Sequence, residues 1–383
     1  MSKPTIDPFT NTVIYAPATV HAQRGGVLYD RLMNAMATSP YLPRKLVESM
    51  LLYVEVAVVG VPEWIFGETN GEAPTVEKRI DSSIAASRLI MADTVARGDR
   101  RKVAVLTGGA GGLGLVTAKA IAEAGYHVII GDRAREDGEK VVATIKEQTR
   151  NENVEFIYLD LASLEEVKKF SREVQKRTNT IDLLINNAGV MDIPEFRPTA
   201  EGYDCQFGIN HLGHYYLTHL LLPLVKKAPK ARIVMTASAA HYGAQSINYE
   251  SLTDASKYDR LHNYCESKLA TVMFARHLAK TLKETDPQIT VNCLHPGSCN
   301  TNLFKSSLQL QVMTTIGLQL LLRPASRGAR TIVYLSLSEE VEGISGEYWF
   351  DERMRQRSQA SNDVAKQEEL MRFSNKAAGI ASL

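Results

Sequence analysis

The segment from Val103 to Asp132 places the strongest limit on what this chain can fold into. It begins with a short run of β-favouring apolar residues, which is typical of a strand buried on both faces of a parallel sheet. A glycine-rich turn follows, and apolar residues then recur at helical spacing as far as Gly125. A second apolar run ends at Asp132. The segment therefore predicts a strand–helix–strand unit with a glycine-rich first turn.

The glycine-rich turn predicts a nucleotide site. It reads Thr107-Gly-Gly-Ala-Gly-Gly-Leu-Gly114, and glycines let a backbone approach a pyrophosphate at the N-terminus of a helix. Asp132 comes 24 residues after Gly108, near the usual spacing of an acid that binds the adenosine ribose. The surplus of glycines leaves three fingerprints open: GxGxxG, TGxxGxxG and TGxxxGxG. An ordinary tight turn is the alternative, which the flanking strand, helix and acid disfavour.

Composition sets broad limits on the class of protein. A chain of 383 residues with 44% apolar content can bury a substantial core, in one large domain or two medium ones. A formal net charge of +1 gives no general attraction to nucleic acid. The four cysteines lack paired metal-ligand spacing and no export signal accompanies them, so we expect a reducing, cytoplasmic setting.

Residues 1–100 are expected to form an extension ahead of a catalytic domain at 101–383. Residues 46–66 carry one apolar helical face that ends with Trp64 and Phe66, and the uninterrupted run is shorter than the roughly 20 residues of a spanning helix. This pattern predicts either a helix packed on protein or an in-plane helix on the cytosolic face of an internal membrane. Residues 67–101 are expected to be a linker with one short helix.

From residue 103 onward, apolar runs and helical stretches alternate, which predicts an α/β fold with a doubly wound parallel sheet. Further strands are expected at 154–159, 181–185, 232–236, 289–294 and 347–350, with helices near 138–149, 163–177, 207–227, 264–284 and 325–337. Ligands of such sheets bind beyond the carboxyl ends of the strands. The candidate site residues that follow strands are therefore Asp160, Leu161, Asn187, Ala188, Gly189 and Ser238.

A Tyr-x-x-x-Lys pair, Tyr264 and Lys268, falls on one face of a predicted helix. The chain has a second such pair, Tyr41 and Lys45. Pro43 interrupts any helix between those two residues, and they precede the nucleotide turn. We therefore interpret the second pair as a chance match.

The order of these motifs resembles that of the short-chain dehydrogenase/reductase superfamily over residues 103 to about 380. The motifs are TGxxxGxG at 107–114, Asn186-Asn-Ala-Gly189, Asn210, Ser238, Tyr264-x-x-x-Lys268 and Pro296-Gly297. The resemblance favours the TGxxxGxG fingerprint, which is that of the single-domain members with a Rossmann-like fold. The sequences of the segments 185–191, 207–214 and 295–297 are similar to those of the retinol-dehydrogenase-like branch. That branch is associated with lipid alcohols and aldehydes such as retinoids, steroids and long isoprenoid alcohols.

The resemblance implies an NAD(P)-dependent oxidoreductase that moves a hydride between nicotinamide and an apolar alcohol, aldehyde or ketone. Tyr264 would exchange the hydroxyl proton, and the Lys268 cation would lower the tyrosine pKa from about 10. Ser238 would bind the substrate oxygen, and Asn210 would continue a proton relay through water. The cofactor would contact Thr107, Gly108, Gly112, Leu113, Gly114, Asp132, Arg133, Asp160, Leu161, Asn187, Ala188, Gly189, Tyr264, Lys268, Pro296, Gly297 and Thr301.

Cofactor choice depends on two neighbouring residues of opposite charge. Asp132 is placed to accept hydrogen bonds from the ribose hydroxyls of NAD and to repel the extra phosphate of NADP. Arg133 follows it, at a position where relatives often bind that phosphate. We expect NAD to be preferred, with NADP still usable.

Other signals are weaker. The apolar stretch 303–322 falls where the family places its substrate lid, although a core helix has the same pattern. His211, His214 and His219 have helical spacing, but no carboxylate or cysteine completes a metal set, so structural roles are favoured. The family commonly pairs through the helices corresponding to 207–227 and 264–284, which suggests a homodimer. A cofactor-binding interaction protein without turnover is the alternative function.

Overall fold

In the computed structural model, the described residues are 73–299 and 322–381, with short pieces at 5–6, 13–14, 33–35 and 38. Three features of the sequence lie outside them: the apolar segment 46–66, Thr301 and the apolar stretch 303–321. The two-residue strands Thr5–Ile6 and Val13–Ile14 pair with each other in an antiparallel manner. All other strands in these ranges belong to one sheet.

That sheet has eight strands with helices on both faces. The strands are β1 Val103–Thr107, β2 His127–Asp132, β3 Val154–Tyr158, β4 Leu183–Asn186, β5 Ala231–Thr236, β6 Ile289–Leu294, β7 Tyr348–Phe350 and β8 Arg353–Arg355. The helices are α1 Ala73–Ala96, α2 Gly112–Glu123, α3 Arg135–Thr149, α4 Leu164–Arg177, α5 Gly213–Val225, α6 Arg260–Thr285, α7 Ala325–Leu337 and α8 Val364–Ala378.

The strand order is 3-2-1-4-5-6-7-8, and only β8 runs antiparallel to its neighbour. This order confirms the predicted doubly wound parallel sheet. Between β1 and β4 the connections change direction, so the loops beyond these two strands diverge and open a crevice. The glycine-rich turn after β1 therefore faces the Asn186-Asn-Ala-Gly189 segment after β4.

Two apolar layers hold the sheet in place, because successive residues of a strand point to opposite faces. Val105 and Leu184 belong to the layer that includes side chains of α4, α5 and α6. Leu106 and Ile185 belong to the other layer, which includes side chains of α2 and α7. With both faces covered, β1 and β4 are buried along their whole length, which explains their uninterrupted apolar character.

The structure differs from the sequence-based expectations at several elements. The expected short helix in the linker is the 24-residue helix α1, and neither β8 nor α8 was anticipated. The predicted helix 207–227 is α5 preceded by a π-helical turn, Gly208–Leu212, that contains Asn210. Such π turns inside helices are frequent at functional sites. None of the helices in the described ranges is both long enough and apolar enough to cross a bilayer.

Candidate active site

A cleft of about 590 Å³ lies beyond the carboxyl ends of the parallel strands. It is lined by most of the residues that the sequence singled out: Gly108, Gly112, Leu113, Gly114, Asp132, Arg133, Asp160, Leu161, Asn187, Ala188, Gly189, Ser238, Tyr264, Lys268, Pro296 and Gly297. Thr107 and Asn210 do not line the cleft and are buried in the protein. The fold thus brings together residues that are far apart in sequence.

The glycine-rich turn passes close to the segment after β4. Gly108 has a φ of 72°, and a Cβ atom there would lie 2.8 Å from the Cα of Ala188. A Cβ on Gly114 would lie 1.9 Å from the carbonyl oxygen of Gly108. Helix α2 begins directly at this turn, and its N-cap residue, Gly111, makes no side-chain capping bond. The first N–H groups of α2 are therefore available to an anion, as pyrophosphate binding requires.

Asp132 has a structural role that the sequence did not reveal. Its Oδ2 accepts a hydrogen bond from the N–H of Ala110 at 3.0 Å, and its Oδ1 accepts one from the N–H of Ala134, also at 3.0 Å. The carboxylate thus ties the glycine-rich turn to the end of β2. Two exposed arginines, Arg133 and Arg197, line the same end of the cleft.

Thr107 joins the ends of β1 and β4 beneath the cleft. Its Oγ1 accepts hydrogen bonds from the N–H groups of Asn187, at 2.9 Å, and Ala188, at 3.0 Å. The Asn187 side chain donates in return to the carbonyl oxygen of Thr107 at 3.0 Å. Because the Thr107 side chain is fully buried, it supports the glycine-rich turn at 108–114 (the cofactor turn) from beneath.

Tyr264 and Lys268 lie one turn apart on α6, and both are buried. The Nζ of Lys268 donates to the carbonyl oxygen of Thr236 at 3.1 Å and lies 5.9 Å from the centroid of the Tyr264 ring. Burial lowers the pKa of Lys268 to about 8, since a low-dielectric environment disfavours the charged form. The cation is therefore kept at neutral pH and is close enough to stabilise a tyrosinate.

Ser238 follows β5, and a buried histidine holds its backbone. The Ser238 hydroxyl oxygen accepts from the N–H of Ala240 at 3.1 Å, and the Ser238 carbonyl lies 2.7 Å from Nδ1 of His241. Nε2 of His241 accepts from the N–H of Ser358 at 3.1 Å, so Nδ1 carries the proton. Burial lowers the pKa of His241 to about 3, which keeps the ring neutral.

Asn210 is fixed by three side-chain hydrogen bonds. Its Oδ1 accepts from the N–H of Val190 at 2.8 Å, while Nδ2 donates to the carbonyl of Val190 at 3.0 Å and to Oγ of Ser267 at 2.9 Å. A Cβ on Gly189 would lie 3.1 Å from Oδ1 of Asn210 and 3.4 Å from Nζ of Lys268. Asn210 thus anchors the loop beside Lys268, and its place in a proton relay stays a prediction.

Comparison with known proteins identifies the family. The sequence model described as short chain dehydrogenase matches residues 102–311. The chain belongs to the short-chain dehydrogenase family. Human polyprenol dehydrogenase is 38% identical over 66% of this chain and 77% of its own length. Human retinol dehydrogenase 14 is 37% identical over 65% of this chain and 78% of its own length. These relatives confirm the predicted likeness to the retinol-dehydrogenase-like branch.

Solved structures agree with the fold of this short-chain dehydrogenase. An uncharacterized protein from Mycobacterium Paratuberculosis is 29% identical, with a TM-score of 0.59 over 74% of this chain and 95% of that one. A 3-ketoacyl-(acyl-carrier-protein) reductase from Brucella melitensis, solved with NADH, is 24% identical with a TM-score of 0.51, over 64% of this chain and 95% of that one. The second likeness concerns the fold alone.

The cleft of this short-chain dehydrogenase includes residues that the sequence analysis missed. Met191, Ile193 and Leu261 are apolar residues of its lining, and Leu261 lies one turn before Tyr264 on α6. Asp192 also lines the cleft; it is buried, has a φ of 54° and pairs through Oδ1 with Nε of Arg260 at 2.7 Å. Met191 is the last residue of the segment 185–191, whose similarity to the retinol-dehydrogenase-like branch was the sequence feature that could have identified it. Asp192 lies in a loop and Leu261 lies at the start of α6, so no sequence periodicity predicts that they line the cleft.

Proposed function

We propose that this short-chain dehydrogenase is an NAD(P)-dependent oxidoreductase that interconverts a lipid-type alcohol with its aldehyde or ketone. The observation that carries the proposal is the meeting of Ser238, Tyr264 and Lys268 in one cleft with the glycine-rich turn. Family membership supports the reaction type. The printed names of the relatives, polyprenol and retinol dehydrogenases, support the lipid class.

The residues present fit a nicotinamide dinucleotide. The uncapped start of α2 would meet the pyrophosphate, and the backbone at Gly108 and Gly114 has no room for a side chain. Asp132 and Arg133 would lie at the adenosine ribose, and Lys268 at the nicotinamide ribose. When bound, the nicotinamide supplies the hydride donor or acceptor.

Side chains of the protein exchange the proton and bind the substrate oxygen. The Lys268 cation favours ionisation of Tyr264, so that the phenol can exchange a proton with the substrate hydroxyl near neutral pH. Ser238 uses its hydroxyl oxygen to cap the following turn, which leaves its proton to donate to the substrate oxygen. The apolar lining residues Met191, Ile193 and Leu261 favour a hydrocarbon chain.

A turnover assay tests this function. NADH absorbance would be followed with primary alcohols of increasing chain length, and we expect kcat/KM to rise with length. Tyr264→Phe should retain cofactor binding and lose at least about a hundredfold in turnover. Cofactor binding without turnover of any alcohol, aldehyde or ketone would favour the interaction protein instead. Substantial activity of the Tyr264→Phe variant would remove Tyr264 from its role.

We further propose that NAD is preferred and NADP usable. Asp132→Ser removes the carboxylate that would repel the 2′-phosphate, and with it the bond to Ala110. We expect weaker NAD binding and a ratio of dissociation constants shifted toward NADP. Asp137→Ser is the matched control, because Asp137 lines the same cleft and the charge change is equal. A wild type that binds NADP far more tightly would show that Arg133 dominates.

The apolar segment 46–66 supports a proposal of peripheral membrane contact at the cytosolic face of an internal membrane. Its apolar face and Trp64 favour this reading, and Glu48 and Glu55 oppose it on anionic lipid. The full chain should sediment with neutral phosphatidylcholine liposomes, and the double substitution Leu51→Glu with Val58→Glu should abolish sedimentation while preserving turnover of a short soluble alcohol. Unchanged sedimentation of the double variant would overturn the membrane proposal.

A further inference from the structure

A buried hydrogen-bonded chain runs from the cofactor turn to Asn210 through His214. Nε2 of His214 lies 2.8 Å from Oγ1 of Thr107, at the end of β1. Nδ1 of the same ring lies 3.2 Å from the carbonyl oxygen of Asn210, one turn earlier along the chain. All three residues are buried, so water does not compete for these bonds.

The donors and acceptors of this chain can be assigned. Oγ1 of Thr107 already accepts two N–H groups, from Asn187 and Ala188, so its own proton is free to be donated to Nε2 of His214. Nδ1 must then carry the ring proton and donate it to Asn210. Burial, together with the nearby positive charge of Lys268, lowers the pKa of His214 to about 4. The ring is therefore neutral at physiological pH and can accept and donate simultaneously.

Each end of this hydrogen-bonded chain holds residues that line the cleft. At one end, Thr107 holds the N–H groups of Asn187 and Ala188 against the glycine-rich turn. At the other end, Asn210 holds Val190 and Ser267, the residue next to Lys268 on α6. Movement of His214 would therefore change the separation of the cofactor turn from the segment that carries Lys268.

We propose that His214 is a positioning residue that fixes the cofactor turn and the Asn210 loop at one separation through its two ring nitrogens. The inference rests on the proposed function, because it assigns separate effects on cofactor binding and turnover. Three histidines lie in this stretch of the chain. Nε2 of His211 bonds to Oγ of Ser374 on α8 at 2.8 Å, and His219 is only partly buried. Neither of these bonds to the cofactor turn.

Two substitutions separate the two ring nitrogens. Asparagine can place its amide nitrogen where Nδ1 lies, so His214→Asn keeps the donor to Asn210 and leaves Thr107 without its acceptor. Glutamine can place its amide oxygen where Nε2 lies, so His214→Gln keeps the acceptor for Thr107 and loses the donor to Asn210. Each variant thus removes one bond, and one net hydrogen bond corresponds to about fivefold to tenfold in an equilibrium or rate.

The full chain would be titrated with NADH and NADPH by calorimetry, and kcat would be measured at saturating cofactor. For His214→Asn we expect the cofactor Kd to rise about fivefold to tenfold, with kcat within about twofold of wild type. For His214→Gln we expect the reverse, a kcat about fivefold to tenfold lower with a Kd within about twofold. Equal losses in both constants in both variants, or no change in either, would overturn the proposal.

Two further measurements cover the case in which these variants fail to fold. Thr107→Val removes the proton donated to His214 and also the acceptor of the Asn187 and Ala188 N–H groups, so it should raise Kd by more than His214→Asn does, whereas Thr107→Ser keeps the hydroxyl and should retain the wild-type Kd. Nitrogen-15 chemical shifts of the wild-type His214 ring should show the proton on Nδ1, and a proton on Nε2 would overturn the proposal without any variant. A wild type that binds neither dinucleotide would instead overturn the proposed function.

Discussion

The proposed function needs the Lys268 cation beside Tyr264, and burying that cation lowers stability. Its folded-state pKa of about 8 is below the unfolded value of about 10.4. Between these pH values the unfolded chain binds the additional proton, so the free energy of unfolding rises as pH increases through this window. Below pH 8 both states are protonated and the full penalty is present.

Lys268→Met should therefore stabilise the protein at pH 7 and abolish turnover. The penalty removed is on the order of 3 kcal/mol, offset in part by the lost bond to Thr236. Denaturant unfolding at pH 7 and pH 10 should show the advantage of the variant shrinking as pH rises. Lys283→Met, at an exposed position of the same helix, is the control and should show no such pH dependence. A stability difference that is constant with pH would contradict the assignment.

At the scale of single residues, the sequence predicted which residues line the cleft better than it predicted which residues support the cleft from beneath. Ser238, Tyr264 and Lys268 were recognisable because their chemistry and their order along the chain are specific. Nothing in the sequence indicated that Thr107 lies beneath the turn or that Asp132 bonds to Ala110. These roles depend on hydrogen bonds between segments that only the folded sheet brings together.

The β1–α2 turn shows how an element limits the choice of residue. Gly98 and Gly108 both have φ above 70°, where a side chain is strained. A Cβ on Gly98 would meet nothing within 4 Å, whereas a Cβ on Gly108 would lie 2.8 Å from the Ala188 backbone. A side chain would strain the backbone at both positions, but only at Gly108 would it also clash with a neighbouring segment.

Gly98→Ala should lower the free energy of unfolding by about 1 kcal/mol and leave cofactor affinity unchanged. Gly108→Ala should lower stability by more than Gly98→Ala and weaken NADH binding at least about tenfold, because the turn and the segment after β4 must separate. Thermal unfolding and calorimetric titration of both variants would check this. Equal cofactor affinity in the two variants would show that the close approach does not shape the binding site.

Among the elements, those with regular apolar periodicity were predicted well, and β6 has the predicted bounds. Helix α1 was predicted too short because its apolar residues do not mark its buried face. Ile80 and Met91 are buried, but Leu89 and Ile90 are 73% and 50% exposed. The catalytic-domain start at residue 101 stays a prediction. Because Ile80 and Met91 pack in the same apolar layer as α2 and α7, we propose that the folded unit begins at α1.

At the scale of the whole molecule, α8 covers the helices through which the family commonly pairs. Ser374 of α8 bonds to His211, and Asn375 accepts from the Tyr215 hydroxyl of α5 at 2.6 Å. The ring of Phe373 meets that of Phe207 edge-on, with centroids 5.9 Å apart. Residues 263–275 of α6 are all buried within the single chain. A dimer through α5 and α6 would require α8 to move away.

We therefore predict that the full chain does not pair through α5 and α6. Light scattering after size-exclusion chromatography should give a monomer, or an oligomer in which hydrogen exchange at α5 and α6 is independent of concentration. Phe373→Asp should unseat α8, expose the apolar surface beneath it and cause self-association. Val364→Asp is the matched control, because Val364 is neutral and exposed on the same helix and the change in charge is equal. A wild-type dimer in which α5 and α6 are protected from hydrogen exchange and α8 is displaced would contradict the prediction.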